Sequence, residues 1–458
     1  MKMIYNVEDK PKFGQVIVFA IQQLLAIMAA TLVVPVIIGH DMEPTAALFG
    51  AGVGTFVYLL FTKFKSPVFL GSSFAFLGSM AAAFAGGVSM ALGYLGLIIG
   101  AVLAGLVYVI IAIIVKFAGV KWINKLMPAV VIGPTVAIIG LSLAGNAISD
   151  LNKVNLEGGS SYVAIICGLI TLAVTMLAST YGKRSVKLIP FIIGIAAGYC
   201  AATIFYFVGQ ATGNAALMII DYSPFAALLD NGKVTLETFI NIKPGFTFWT
   251  AKDAIKELDA SYIISLIAAY VPVAFVVFAE HIADHKNISS IIERDLLEEP
   301  GLHRTLLGDG VGSMVGAFFG GCPNTTYGES VACVAITRNA SVVTILTASI
   351  GAIVISFFSP FVALVNTIPS CVMGGVCMAL YGFIAVSGLK MIQGVDLNKN
   401  RNLFVVSAIL IAGIGGLSLT FGKVTITSIA CALILGILVN LMLSGKKAED
   451  KADDAEAE

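Results

Sequence analysis

Two carboxylates lie in or beside strongly apolar stretches of this sequence. Glu280 ends the run YVPVAFVVFAEH, and Glu329 follows the polar segment PNTTYG, which interrupts two apolar segments. Carboxylates inside membrane spans are rare and costly, and so they are functional candidates by default. The alternative is an ion pair near the membrane surface, and the chain does turn polar soon after Glu280.

A third acid, Asp284, follows Glu280 by four residues. The two carboxylates therefore share one face of a helix, whereas His281 and His285 share the neighbouring face. Neighbouring acids in a dry site resist being ionised together, so one of them can bind and release a proton near neutral pH. The His pair has the spacing of metal ligands, but no third ligand lies nearby in the sequence. The pattern therefore favours proton chemistry over a metal site.

These residues belong to a chain with the composition of a polytopic membrane protein. Of its 458 residues, 58% are hydrophobic and 12% are charged, and the mean hydropathy is +0.96. A soluble domain carries about 25% charged residues, so this chain has too few charges to cover a water-exposed surface. The net charge of zero gives no sign of a nucleic-acid partner. The lipid bilayer is the expected partner.

Apolar runs recur at the length of roughly 20 residues that crosses a hydrocarbon layer of ~30 Å. They predict an all-α polytopic membrane protein with about fourteen spans. The predicted spans are residues 16–38, 45–62, 68–85, 90–117, 127–145, 160–181, 187–208, 259–282, 302–320, 322–338, 341–363, 368–388, 402–421 and 424–443. The spans at 68–85 and 322–338 are the most polar.

The distribution of positive charge predicts the orientation. If the N-terminus is inside, most of the 27 Lys and Arg residues fall on the side of both termini, as the positive-inside rule requires. Both termini are therefore predicted to be cytoplasmic. The first twelve residues are polar and show no cleavable signal peptide, and the charged tail 445–458 is predicted to be disordered. The seven Cys residues are read as small buried apolar side chains.

The polar outer loop 209–258 divides the chain into two halves that resemble each other. The predicted organisation is a cytoplasmic N-terminus (1–15), a first seven-span repeat (16–208), the outer loop (209–258), a second seven-span repeat (259–444) and the tail. Matched landmarks are Pro128, Val131 and Gly133 in the first half and Pro369, Val372 and Gly374 in the second. An odd number of spans per repeat inverts one half relative to the other, as in many secondary transporters. Chance similarity between Gly-rich segments is the alternative.

Each half has a small and polar interruption in its third span. Non-helical backbone at membrane depth is tolerated only where it is buried in protein or lines a cavity. We expect segments 71–76 and 323–328 to pair as short β-strands, with helices continuing from Ala75 and from Glu329 onward. The first amides of those helices would face a cavity and could bind carbonyl oxygens or negative charge.

The motifs resemble the nucleobase–ascorbate transporter (xanthine/uracil permease) family, specifically its bacterial uracil permease branch. The resemblance rests on GSSFAF (71–76), AEHIADHKN (279–287), RDLLEEPGLHRTLLGDG (294–310) and PNTTYGES…AITR (323–338), and it spans nearly the whole chain. It implies import of uracil by proton symport with alternating access, in the bacterial cytoplasmic membrane and without a cofactor. It also implies a core domain (spans 1–4 and 8–11) that moves against a gate domain (spans 5–7 and 12–14). A homodimer through the gate domain is compatible with the resemblance, but the sequence shows no decisive surface patch.

The resemblance further implies roles for individual residues. Glu280 would accept hydrogen bonds from ring N–H groups, and Glu329 would hold both the second broken helix and the base. Backbone amides at Phe74 and Gly328 would bind the carbonyl oxygens, while Tyr327 and the Phe74 ring would pack on the base. Supporting residues would be Gln23, His281, Thr326, Ser330 and Tyr381. Uracil itself offers two N–H donors, two C=O acceptors and a flat ring, which such a site complements.

The sequence departs from the family pattern at three places. Many relatives carry Gln-His where this chain has Gln22-Gln23, and some uracil permeases carry His at the position of Asp284. The Asn that follows Gly-Glu in the motif is Ser330 here. The protons must then be carried by carboxylates, namely Glu280, Asp284 and Glu329. Sodium is the alternative coupling ion, because carboxylate oxygens suit a hard cation.

Other functions fit the sequence less well. A xanthine or urate carrier would need smaller pocket walls for its bicyclic ligand, and PNTTYGE resembles the pyrimidine branch instead. An anion exchanger or channel should favour positive charge, whereas this chain places two acids and no Arg at depth. A membrane enzyme would need a nucleophile–base pair or a metal set, and neither is visible.

Overall fold

A computed structural model describes residues 3–119, 128–154, 156–183, 186–229, 233–241, 244–421 and 424–444. The predicted disordered tail 445–458 lies outside the described residues. Most of the described chain is helical, with four short strands that form two antiparallel pairs. In a bilayer, helices satisfy nearly all of their own backbone hydrogen bonds, which explains why an apolar chain of this kind folds in this way.

The helices have the following bounds: α1 Phe13–Ile38, α2 Pro44–Phe61, α3 Leu77–Ala83, α4 Met90–Ala118, α5 Ala129–Ser142, α6 Ala144–Asn152, α7 Ser161–Tyr181, α8 Pro190–Thr212, α9 Ser223–Ala226, α10 Thr247–Ala251, α11 Ala260–Ile292, α12 Leu302–Gly320, α13 Gly328–Thr337, α14 Val342–Ile355, α15 Ser359–Asn366, α16 Ser370–Ile392, α17 Asn400–Ile414 and α18 Ser428–Met442. The strands are β1 Leu70–Ser72, β2 Asn324–Thr326, β3 Leu419–Phe421 and β4 Val424–Ile426. Short 3₁₀ helices lie at Phe74–Phe76, Val186–Leu188, Ala215–Leu217 and Lys252–Glu257, and one π-helical turn lies at Leu297–Gly301.

Local sequence signals set several helix ends. Asp259 caps α11 by accepting a hydrogen bond from the amide of Tyr262 at 2.6 Å, and Ser89 caps α4 in the same way from Leu92 at 3.1 Å. Pro190 begins α8, where its missing N–H costs nothing. α8 then continues to Thr212, so the predicted outer loop 209–258 begins a few residues later than the sequence suggested.

Within the described chain, eight helices are long and apolar enough to cross a membrane. They are residues 13–38, 44–61, 90–118, 129–152 (α5 and α6 taken together), 161–181, 190–212, 260–292 and 370–392. Shorter apolar helices lie at 74–83, 328–337, 342–355, 400–414 and 428–442. These elements follow the predicted order of spans, and the protein is a helical, multi-pass membrane protein.

The helices in the predicted spans 402–421 and 424–443 are shorter than those spans. α17 ends at Ile414, α18 begins at Ser428, and the antiparallel pair β3–β4 lies between them. The chain there has a Gly416 with φ of +73° followed by a run rich in β-branched residues, which favours a turn and strands over helix. The predicted span 341–363 is likewise divided into α14 and α15.

The predicted pairing of the two broken spans is confirmed. β1 and β2 run antiparallel, with Leu70 opposite Thr326 and Ser72 opposite Asn324. The ladder continues at both ends, from the Ser73 amide to the carbonyl of Pro323 at 2.8 Å and from the Tyr327 amide to the carbonyl of Phe69 at 3.2 Å. A 3₁₀ turn follows β1 at Phe74 and α13 follows β2 at Gly328, each within one residue of the predicted helix start.

The helices pack in two groups. In the first group, α2 packs against α12 and α14, α4 packs against α11 and α12, and α1 packs against α14 and α13. In the second group, α16 packs against α5, α6 and α7, α7 packs against α8, and α17 packs against α5 and α18. The crossed strands β1 and β2 belong to the first group. Contacts between the groups run mainly from α11 to strand β4, α18 and α5, and from α1 to α8.

Candidate functional site

A cavity of about 450 Å³ lies between the crossed strands and the second group of helices. From the first group it is lined by Phe74, Glu280, Asp284, Thr325, Thr326, Tyr327, Gly328 and Glu329, among others. From the second group it is lined by Val136, Ile139, Ser179, Phe191, Leu380, Phe383, Ile384 and Ser387, among others. One wall is therefore polar and broken, whereas the other is mostly apolar and helical.

The two acids of α11 are used differently. Glu280 and Asp284 lie one helical turn apart, and both line the cavity. The Thr326 hydroxyl donates a hydrogen bond to Oδ2 of Asp284 at 2.7 Å, which ties this carboxylate to strand β2. The Glu280 carboxylate accepts no hydrogen bond from the residues that the structure describes. Glu280 is therefore the acid with free acceptor capacity toward a ligand.

Glu329 lies in the first turn of α13, where a negative charge is favoured by the helix dipole. The preceding residue, Gly328, is exposed to the cavity, and an added Cβ there would meet no atom within 4 Å. The first amides of a helix have no intrahelical acceptor. A ligand in the cavity can therefore approach both the backbone at Gly328 and the carboxylate of Glu329.

The aromatic residues of the two breaks are only partly available to a ligand. The Tyr327 hydroxyl donates to the carbonyl of Ser72 at 2.7 Å, and its ring lies where a Cβ on Gly71 would come within 2.4 Å of it. Tyr327 therefore fastens the two strands while one part of it lines the cavity. Phe74 lines the cavity and meets the Tyr381 ring edge-on, with centroids 6.0 Å apart.

Seven of the eleven residues predicted from the sequence line the cavity. They are Glu280, Asp284, Glu329, Phe74, Thr326, Tyr327 and Gly328. The other four, Gln23, His281, Ser330 and Tyr381, lie behind its lining. The Gln23 amide donates to the Ser330 hydroxyl, which also accepts from the Phe69 amide at 3.0 Å. Gln23 and Ser330 thus connect α1 and α13 to the start of β1.

His281 points away from the cavity into the first helix group. Its Nδ1 lies 2.7 Å from Oδ2 of Asp309, and its Nε2 lies 3.0 Å from the Thr305 hydroxyl. His285 stacks on His281 with ring centroids 4.0 Å apart, and the Tyr58 hydroxyl lies 2.7 Å from Nε2 of His285. The predicted neighbouring face of the two His residues is confirmed, but its partner Asp309 was not identified as a site residue from the sequence.

The apolar wall was also missed. Phe191, Leu380, Phe383 and Ser387 come from spans that read as uninterrupted apolar helices, so nothing local marks them as cavity residues. Lys187 lies at one end of the cavity together with Ile336 and Met391. It is the one Lys or Arg among the described lining residues, and its position at the start of the predicted span 187–208 gave no signal of this role.

Comparison with known proteins gives strong sequence similarity. The profile of the family described as "Permease family", the xanthine/uracil permeases, matches residues 14–421. The uracil permease of Bacillus caldolyticus is 38% identical over 449 residues, which cover 97% of this chain and 96% of that protein. The uracil permease of Escherichia coli (strain K12) is 35% identical over 457 residues, covering 98% and 97% of the two chains.

Solved structures share the fold at low sequence identity. The transmembrane domain of the cyanobacterial bicarbonate transporter BicA superposes with a TM-score of 0.64 at 14% identity, covering 95% of this chain and all of that one. The structure of SLC26A9 gives a TM-score of 0.60 at 12% identity and covers 94% of this chain and 66% of that chain. At this identity the likeness concerns the fold alone.

Proposed function

Because this chain belongs to the xanthine/uracil permease family, in its bacterial uracil permease branch, we propose that it is a secondary active transporter that imports uracil across the cytoplasmic membrane. The observation that carries the proposal is the cavity itself. Its lining includes the carboxylate of Glu280, the helix start at Gly328 and Glu329, and Phe74, which supports this proposal. Relatives named uracil permeases match the chain over almost its full length, which supports uracil as the substrate.

Each feature of uracil has a complementary group in the cavity. Glu280 accepts ring N–H groups, because its carboxylate has no competing donor among the described residues. The exposed amide at Gly328 and the amide at Phe74 bind the two carbonyl oxygens. The Phe74 ring packs on the flat base, and Glu329 holds the start of α13 against it. Tyr327, Thr326 and Ser330 keep the crossed strands in register, with Gln23 and Tyr381 in support.

Transport is coupled to an ion, and we propose a proton. Glu280, Asp284 and Glu329 line one cavity, so that binding uracil brings a ligand to a cluster of three acids. Acids grouped in this way exchange protons readily when the site alternates between wet and dry states. Sodium is the competing coupling ion, since carboxylate oxygens also suit a hard cation.

The wider architecture follows the family. We propose about fourteen spans in two inverted repeats, 16–208 and 259–444, with both termini cytoplasmic. The first packing group corresponds to a core domain (spans 1–4 and 8–11) and the second to a gate domain (spans 5–7 and 12–14). Two packed groups with the cavity between them suit alternating access by relative motion. A homodimer through the gate domain also belongs to this proposal.

The charge distribution that predicts cytoplasmic termini also indicates which end of the cavity faces the cytoplasm. Lys187, Ile336 and Met391 line one of its ends, and they lie close in sequence to residues that the charge distribution assigns to the cytoplasm. We therefore propose that this end of the cavity faces the cytoplasm, into which uracil is released.

The competing substrates receive less support. Fold neighbours transport anions, but three carboxylates line this cavity and Lys187 lies at its end rather than among them. A purine would also fit by volume, because the cavity of about 450 Å³ is larger than a single pyrimidine needs.

The test is uptake of radiolabelled uracil into proteoliposomes under an imposed pH gradient or an imposed sodium gradient. We expect the inward proton gradient to drive accumulation, and excess unlabelled xanthine to compete weakly. Accumulation driven by sodium alone would mean that sodium, not the proton, is the coupling ion. Stronger competition by unlabelled xanthine than by unlabelled uracil would mean that xanthine is the preferred substrate.

A further inference from the structure

A second ionisable pair lies buried behind the substrate cavity. His281 on α11 and Asp309 on α12 are 0% and 1% exposed, and their side chains meet at 2.7 Å. Neither residue lines the cavity. In the described chain, no Lys or Arg side chain forms an ion pair with Asp309. A lone buried carboxylate is costly, so the charge of Asp309 must be balanced by its His partner or by a proton.

The hydrogen bonds around His281 show where that proton fits. The Thr305 hydroxyl donates to the carbonyl of Leu302 at 3.0 Å, and a hydroxyl has one hydrogen only. Toward Nε2 of His281, also at 3.0 Å, it must then act as an acceptor, so Nε2 carries a hydrogen. The 2.7 Å contact between Nδ1 and Asp309 needs a further hydrogen. The pair as arranged therefore holds one removable proton, as an imidazolium–carboxylate or as a neutral imidazole with a carboxylic acid.

The same geometry accommodates loss of that proton. If the Thr305 hydroxyl rotates from the Leu302 carbonyl toward Nε2, it becomes the donor in that contact. His281 is then neutral with its hydrogen on Nδ1, which donates to an ionised Asp309. One hydroxyl rotation thus adapts the site to both protonation states without moving a helix.

His285 is not the proton carrier. Its Nδ1 lies 2.8 Å from the carbonyl of His281, which can only accept, so Nδ1 carries the hydrogen. Its Nε2 is then the acceptor for the Tyr58 hydroxyl at 2.7 Å, and Tyr58 in turn lies 2.7 Å from the Ser66 hydroxyl. Every polar atom of the ring is satisfied in the neutral form. His285 therefore positions α11 against α2.

A small cavity with a mostly apolar lining connects Asp309 to Asn324 of strand β2. It has about 10 Å³ and is lined by Asp309, Asn324, Tyr108 and Ser313, among others. Oδ1 of Asp309, Oδ1 of Asn324 and the Tyr108 hydroxyl are buried, and none of them bonds to another group in the described chain. The space suits about one water molecule, which could donate to the two carbonyl-type oxygens and accept from Tyr108. Asn324 begins β2, whose next residues, Thr325 and Thr326, line the substrate cavity.

We propose that the His281–Asp309 pair is a further buried site that holds the coupling proton, in addition to the carboxylates Glu280, Asp284 and Glu329 that line the substrate cavity. This rests on the proposed function, and it adds a residue, Asp309, that the substrate cavity does not contain. The ionisable groups that face the pair are Glu280, Asp284 and His285 on α11, Tyr58 on α2 and Tyr108 on α4. None of them is a cation that could stand in for the proton. Strand β2 links occupancy of the pair to the substrate site.

The test separates substrate binding from proton coupling. The full chain and its Asp309→Asn variant are reconstituted in proteoliposomes, and three quantities are measured: the Kd for radiolabelled uracil, uracil counterflow without a gradient, and accumulation under a pH gradient of one unit. For one proton per uracil, the wild type should accumulate uracil about tenfold, because one pH unit is a tenfold ratio of proton concentrations. Asp309→Asn should keep its Kd within about threefold and retain counterflow, but accumulate no more than it does without a gradient.

Controls decide the remaining outcomes. Asp150→Asn, a carboxylate on α6 outside the pair, should accumulate uracil like the wild type. If Asp309→Asn does not fold, as judged by thermal unfolding, His281→Gln is assayed in its place with the same expected split. Full gradient-driven accumulation by either folded variant overturns the proposal, and so does loss of uracil binding by a folded variant, which would make the pair a structural support.

Failure of the proposed function is distinguishable from failure of this inference. If the wild type binds no uracil, the proposed function and the inference fall together. If the wild type accumulates uracil under a sodium gradient and not under a pH gradient, uracil transport stands and the proton site is overturned.

Discussion

The three carboxylates that line the cavity differ in what holds them. Glu280 has no donor among the described residues, Asp284 accepts the Thr326 hydroxyl, and Glu329 lies in the first turn of α13. A carboxylate that already accepts hydrogen bonds from the protein contributes less binding free energy to a ligand than one whose only other hydrogen-bond donors are water molecules. On this difference we propose substrate recognition for Glu280 and a connecting role for Asp284.

The bond between Thr326 and Asp284 should contribute measurably to stability. Thr326 is buried and Asp284 is half-buried, and a charge-assisted hydrogen bond of this kind contributes about 1.5–3 kcal/mol. Thr326→Val should therefore lower the unfolding midpoint in thermal unfolding of the purified protein. The matched control is Thr325→Val, because the Thr325 hydroxyl is buried and has no partner in the described chain. Equal losses of stability in the two variants would contradict the assigned bond.

Gly328 should be needed for space rather than for fold. An added Cβ meets nothing of the protein within 4 Å and would project toward the cavity. Gly328→Ala should keep the wild-type unfolding midpoint and weaken uracil binding by about tenfold or more, as for other steric blocks worth about 1–3 kcal/mol. Gly382→Ala on α16, where a Cβ also meets nothing, is the control. Unchanged uracil affinity of Gly328→Ala would mean that the base does not approach this part of the backbone.

At the scale of elements, sequence and structure agree best where the chain is broken. Polar residues at 71–76 and 323–328 stand out in apolar surroundings, and Gly71 has no side chain to obstruct Tyr327 across the strands. Local composition therefore revealed β1, β2 and the helix starts. The wall formed by Phe191 and Phe383 could not be predicted, because a cavity residue in an uninterrupted apolar helix looks like a lipid-facing one. Asp309 was missed because its partner, His281, comes from another helix.

The loop between α11 and α12 is held by an ion cluster. Arg294 pairs with Glu8 and with Glu299, and Lys65 pairs with Glu299 as well. The Lys65 ammonium, followed by the Arg294 guanidinium, holds the pKa of Glu299 below its ordinary value. The N-terminal segment is attached to the same side by backbone bonds, such as the Ile4 amide to the carbonyl of Arg338 at 2.8 Å.

This cluster predicts a pH-dependent contribution to stability. A carboxylate with a depressed folded pKa stabilises above its unfolded pKa, and that stabilisation is lost as the pH falls through the folded value. Glu299→Gln should therefore lower the unfolding midpoint slightly at pH 7, and the difference should vanish once the pH falls below the lowered pKa of Glu299. High salt should also reduce it, because the groups are exposed. Glu298→Gln, an exposed neighbour, is the control, and an equal effect there at pH 7 would contradict the assignment.

At the scale of the molecule, the cavity lies where two packed groups of helices meet. The polar wall comes from the group that contains β1 and β2, and the apolar wall comes from the group built around α16. The contacts between the groups are fewer than those within them, which suits the proposed alternating access by relative motion of the two groups. The composition and the motifs predicted a helical membrane transporter of this family. That one helix group forms the polar wall and the other the apolar wall could be seen only from the packing of α16 against α5, α6 and α7.

Equilibrium binding of radiolabelled uracil to the purified protein and to its Glu280→Gln variant tests the central claim most directly. Glutamine keeps the size of the side chain and its carbonyl acceptor but removes the charge that strengthens bonds from ring N–H groups. The account predicts saturable binding to the wild type and a loss of about 100-fold or more in Glu280→Gln, as for other truncated charge-assisted contacts. Glu298→Gln should bind like the wild type. Wild-type affinity of a folded Glu280→Gln variant would contradict the assignment of this cavity as the uracil site.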